Sequence, residues 1–268
     1  SILVEQERVI DHVVLAEFAL LLGPPLMPHQ FAAFTAQVKI LSLTSSEAWT
    51  ESVLACLQRW LQSPECRVQH IDLDISGAQP NDLATLFGSM ANCRSLESLD
   101  VQDWRERDAL EARLIARIIG QSLLRQCVSL HTIHFSTNLL EYVDQSVAEE
   151  WRCSLQGNQI LRKIQLEGRI SSSLAVSLLQ AVETNMVLED LDLWVGNTST
   201  NMLIDQLTLS LPRIGHLRKL RVFQSGPRIQ LSRRKKNFLL HALSQNGSLC
   251  EFGTAKGFWV PEEHAMVQ

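Results

Sequence analysis

His70 and His134, together with Asp72, Asp74, Asp100 and Asp103, are the side chains whose types could hold a metal ion or move a proton. Their spacing argues against both. The two histidines fall in copies of a repeat that are two units apart, roughly 10 Å across a sheet by strand spacing, which is long for shared coordination. The six cysteines, Cys56, Cys66, Cys93, Cys127, Cys153 and Cys250, form no CxxC pair, so reduced thiols are expected rather than a zinc or dithiol centre. GxGxxG, GxxxxGK[ST], HExxH and GxSxG are absent, and no spacing ties the Ser, His and Asp residues into a triad. Neither a cofactor, a small-molecule substrate nor an enzymatic reaction is expected. The chemistry on offer is recognition. Trp194 and Phe223, flanked by Asp190, Asp192, Lys219 and Arg221, have the make-up of a protein-binding hot spot, aromatic anchors inside a charged rim. Asp72, Asp74 and Asp100 form a second, acidic patch suited to a basic partner or to a hydrated face. The run Arg233-Arg-Lys-Lys236 is the strong charge cluster, suited to an acidic partner, an RNA backbone or nuclear import, with a solvated helix start as the plainer reading.

These residues are positioned by a pattern that returns eight times: apolar, two variable, apolar, one variable, apolar. The copies begin at Val38, Val68, Leu96, Leu130, Leu161, Leu188 and Leu217, with a degenerate copy at Leu249, and their spacings run from 27 to 34 residues. Each copy predicts a short strand with its first, fourth and sixth residues in the core and its third, fifth and seventh on an open face. Trp194 and Phe223 share the seventh position of adjacent copies, so their rings should be neighbours; the competing arrangement has both folded over the strand ends and packed under the loops. Between strands, apolar residues recur at three- and four-residue spacing, as in Leu54, Leu57, Trp60 and Leu61, in Leu114, Ile115, Ile118 and Ile119, in Leu174, Leu178, Leu179 and Val182, and in Phe238, Leu239, Leu240 and Leu243. These are helices that can bury their stripes only against neighbouring units. Three residues before five of the strand patterns stand Cys93, Cys127, Asn158, Asn185 and Asn246; the asparagines are expected to close the helices, where they tolerate the left-handed conformation.

The run Leu178-Leu-Gln-Ala-Val-Glu-Thr-Asn-Met-Val-Leu-Glu-Asp-Leu-Asp-Leu193, and its counterpart Leu239 to Phe252, resemble the helix-to-strand half of the ribonuclease-inhibitor type of leucine-rich repeat. The resemblance spans about residues 38 to 254. It implies an α/β leucine-rich-repeat solenoid, a horseshoe with a parallel sheet on the concave side and helices on the convex side. The Asn or Cys that this family places after the strand is largely replaced, the sites holding Ser46, Ser76, Trp104, Asn138, Arg169, Gly196 and Ser225. Binding of a protein partner on the concave sheet is the implied function. Stimulation of GTP hydrolysis by a small GTPase, or service as the ligand-sensing repeat segment of a larger signalling or innate-immunity receptor, are the alternatives.

Glu5 to Leu22 reads as an amphipathic helix, so residues 1–37 are expected to be an N-terminal helical cap, 38–254 the array of about eight repeats, and 255–268 a C-terminal tail. The start at Ser1 rather than Met fits a processed form or a piece of something longer. Val13 to Leu22 is too short to span a bilayer and lacks the basic flank of a signal peptide. With 24 Lys and Arg against 29 Asp and Glu, a formal charge of −5, there is no global basic field, and nucleic acid is not the expected partner. The expected location is the cytoplasm, with the nucleus as the alternative.

Overall fold

The computed structural model describes residues 12–16, 38–44, 51–103, 105–195, 200–224 and 232–253. Among the described residues, nine strands form one all-parallel sheet in chain order: β1 His12–Ala16, β2 Ile40–Thr44, β3 His70–Asp74, β4 Ser98–Asp103, β5 Thr132–Thr137, β6 Lys163–Ile170, β7 Asp190–Val195, β8 Lys219–Gln224 and β9 Glu251–Gly253. Helices run between them: α1 Glu51–Leu61, α2 Pro80–Ala91, α3 Ala109–Ile119, α4 Gln145–Gly157, α5 Ser172–Val182, α6 Thr200–Ser210 and α7 Arg233–Gln245. Each helix packs on the next along the chain.

The period-2 alternation explains the layering. In all seven full copies of the pattern the first, fourth and sixth residues are buried, from Val38, Leu41 and Leu43 through Leu217, Leu220 and Val222. Intervening residues are half-exposed, as in the alternating burial along β3, β4 and β5. Among the described residues, one sheet face therefore carries the helices and the other is open. Leu54, Leu57, Trp60, Leu61, Leu174, Leu178, Leu179 and Val182 are buried as their spacing requires. Leu114 and Phe238 are exposed instead, because the buried stripes of α3 and α7 run through Ala112, Ile115 and Ile119 and through Leu239 and Ala242.

Where an N-terminal helix is expected, residues 12–16 form a strand paired in parallel with β2, His12 opposite Ile40 and Leu15 opposite Leu43. The signal was present: Ile10, Val13 and Leu15 repeat the strand pattern 28 residues before Val38, in the observed register. The paired Val13 and Val14 favour the extended chain because β-branching restricts χ1 in a helix. The rest of the expected cap and the tail at 255–268 lie outside the described residues, as do Ser46, Trp104, Gly196 and Ser225.

The asparagines do something other than adopt a left-handed conformation. Asn158 (φ −79°, ψ 124°) and Asn246 (φ −87°, ψ 115°) are extended. Each side chain joins one unit to the one before. Asn185 is buried; its amide donates to Leu155 O at 2.6 Å and Asn158 O at 2.9 Å, while its Oδ1 accepts from the Val187 and Leu188 amides, both at 2.9 Å. Asn158 reaches back to Leu124 O at 2.7 Å, and Asn246 to Leu211 O and Ile214 O, both at 2.7 Å. Where Cys93 and Cys127 take this position the thiols pack in the core, and the Ser129 hydroxyl bonds Cys93 O at 2.6 Å.

A backbone motif accompanies every step from β2 to β9. The carbonyl of the second pattern residue accepts the amides of the second and third residues of the next copy, as Glu189 O does from Arg218 N at 2.8 Å and Lys219 N at 3.0 Å. Between the ends of β3 and β4, Arg107 is enclosed with Asp103, Nε to Oδ2 at 2.7 Å, and its guanidinium also holds Ala78 O at 3.1 Å, Ile75 O at 2.5 Å and the Glu111 carboxylate. β6 bulges at Gly168, whose φ of +103° brings it so near β5 that a Cβ would lie 2.3 Å from Thr137 O. Asn138 supports that bulge, its Oδ1 accepting from Arg169 N at 3.2 Å.

Candidate partner-binding face of the sheet

The open face presents three rows across the strands, set by the third, fifth and seventh pattern positions. In-register pairing puts Asp190 beside Lys219, Asp192 beside Arg221 and Trp194 beside Phe223. The aromatic pair forms as its shared position predicts: the ring centroids are 5.0 Å apart and the planes are tilted by 46°, within the range of favourable aromatic pairing. Trp194 keeps 37% of its surface exposed, while Phe223 is half-buried with the Arg221 guanidinium carbon 5.9 Å from its centroid. The indole thus stays accessible on the open side.

Asp192 corrects the expected exposed row. It is 2% exposed. Arg221 Nε donates to its Oδ1 at 2.7 Å and Arg221 Nη2 to its Oδ2, while Gln165 Nε2 donates to Oδ2 at 3.0 Å. A carboxylate ringed by donors on both neighbouring strands is satisfied within the sheet, and it holds the Arg221 guanidinium charged, raising its pKa. Arg221 is therefore held beside the Phe223 ring. Glu251 on β9 was missed; it pairs with Lys219 at 2.9 Å and approaches Arg221 at 3.9 Å. Its signal was available, since it holds the third position of the degenerate copy.

The acidic patch is similarly engaged from within. Asp72 accepts from Ser42 Oγ at 2.8 Å and lies 2.7 Å from His70 Nε2, and Asp74 accepts from the Ser76 amide at 2.9 Å. Asp100 lies 2.9 Å from His134 Nδ1, whose Nε2 is 3.4 Å from Glu167. Hydrogen bonding to Asp100, with the Glu167 charge adding to it, pushes the His134 pKa up against the opposing effect of burial. Asp103 is buried with Arg107 and forms no part of the open patch. Among the described residues, no three His, Cys, Asp or Glu side chains gather as metal ligands. Cys66, Cys93, Cys127, Cys153 and Cys250 are free thiols, with burial pushing the Cys127 pKa up.

The basic run opens α7 as its position implies. Ser232 caps the helix, accepting from the Lys235 amide at 3.3 Å, and Lys235 Nζ pairs with Asp205 of α6 at 2.8 Å. Among the described residues no helix is long and apolar enough to cross a membrane. No protein-family model matches this sequence, and no curated protein matches it.

Proposed function

We propose that the chain is a leucine-rich-repeat array of the ribonuclease-inhibitor type that binds a partner protein on the concave, open face of its sheet, without catalysis. The observation that carries this is the Trp194–Phe223 pair: two aromatics in tilted contact, in register on adjacent strands, on the face that carries no helix among the described residues. An exposed indole set against Phe223, itself beside the ion-paired Arg221, is pre-ordered, so little further side-chain entropy would be lost on binding. The repeat reading draws its support from the in-register strands and the asparagine bridges at fixed positions before them. Specificity would come from the Asp190, Lys219 and Arg221 rim, with the Asp72, Asp74 and Asp100 region placed to meet basic groups of the partner.

The test is affinity capture with the wild-type chain and with a Trp194→Ala, Phe223→Ala double variant, followed by calorimetry with the purified candidate. Asp192 is left intact because it is buried. A partner held by the wild type and weakened by about 2 kcal/mol or more in the variant is the expected result. A partner whose affinity is unchanged would remove the aromatic pair from the interface.

A further inference from the structure

The basic run of α7 borders a second surface that the sheet face does not use. On α6, Met202 and Leu209 are 60% and 57% exposed, and with Asp205 they fall on one stripe of the helix. On α7, Phe238 is 49% exposed, with Arg234 one turn before it and the guanidinium carbon 5.5 Å from the ring centroid. Between the helices lies a groove of about 230 Å³ lined by Asp205, Thr208, Leu209, Lys235 and Phe238. Among the described residues Asp205 is the one carboxylate in that lining, and it is already paired with Lys235. Arg233, Arg234 and Lys236 stand at the same end of α7, whose first turn contains no acidic residue. Four cations at a helix N-terminus oppose the helix dipole. Grouped apolar side chains of this size beside a basic rim mark an interaction surface rather than scattered exposure.

We propose that the α6–α7 groove docks an acidic amphipathic helix of a partner protein. Two adjacent helices form a trough that a third can occupy, with its apolar anchors on Leu209, Phe238 and Met202 and its carboxylates facing the basic rim. A nucleic-acid backbone would match the cations and leave the apolar floor uncovered. An anionic bilayer is flat and would leave the space between the two helices unfilled.

The probe is a fluorescein-labelled helical peptide of about 18 residues, five turns, with Leu at three- and four-residue spacing and Glu elsewhere. Its anisotropy is followed against the full chain. Saturable binding is expected, about tenfold weaker for Phe238→Ser and for the Arg233→Glu, Arg234→Glu variant, weaker with added salt, and unchanged for Trp194→Ala. Since the altered residues lie on the surface, circular dichroism should show all variants folded. The proposal is overturned if no saturable binding is seen, or if the groove variants bind as the wild type does. Tighter binding to single-stranded RNA or to phosphatidylserine vesicles than to the peptide would overturn it as well. The Trp194→Ala control keeps this outcome separate from that of the sheet-face reading.

Discussion

Asn185 shows what a single side chain contributes to this molecule. It satisfies four backbone groups in two successive units from a fully buried position. Asn185→Ala strands those groups, and the penalty for unpaired buried polar groups puts the cost at about 3 kcal/mol, to be read from urea unfolding. His134 contributes in a pH-dependent way. Its folded pKa lies above the ordinary 6.5, so protonation stabilises the fold. That stabilisation is complete below the unfolded pKa and is lost as pH rises through the folded value. The stability gap between the wild type and His134→Ala should therefore be larger near about pH 5.5 than near about pH 8.5, and a pH-independent gap would exclude the Asp100–His134–Glu167 ion pairs as its source. Several of these pairings were legible in the sequence. Asp192 and Arg221, like Asp100 and His134, hold the fifth position of consecutive copies, so opposite charges at one position in neighbouring repeats already specify a cross-strand pair. Burial of Asp192 was not legible, because it depends on donors arriving from both sides at once.

At the scale of elements, strand positions could be read almost completely because their pattern has a fixed register, and β1 was missed because valine-rich residues near it also fit a helical face. The loops were the illegible part. Nothing in the spacing announces that Arg107, four residues after Asp103, turns inward to hold the carbonyls of Ala78 and Ile75 from the preceding unit. With both partners enclosed, Arg107→Ala leaves the Asp103 charge buried and unpaired, and should cost about 3–5 kcal/mol in chemical denaturation. Replacing both residues, Asp103→Leu with Arg107→Met, should recover part of that loss, and no recovery would place the cost in the freed carbonyls instead. The turn after α3 has a comparable constraint. Trp151 of α4 donates from Nε1 to Ala116 O at 2.8 Å, and a Cβ on Gly120 would lie 2.7 Å from the indole, so glycine is what lets these helices close up.

Across the whole molecule, one apolar core runs from Val38 to Leu249 beneath a single sheet, and each unit meets chiefly the units before and after it. Stability should then behave as a chain of neighbour interactions. Arg107→Ala and Asn246→Ala, which share no partner, should be additive within about 0.5 kcal/mol, whereas Asn158→Ala and Asn185→Ala should couple through the Asn185–Asn158 hydrogen bond. Double-mutant cycles decide this directly. The asparagine bridges also bear on how such a chain can change over generations. Their acceptors are main-chain carbonyls, present whatever side chain the previous unit carries. A unit copied or lost between two others would therefore still meet main-chain carbonyls for its asparagine. The step from α3 to α4 adds a demand of its own, since the Trp151 indole leaves no room for a Cβ at Gly120.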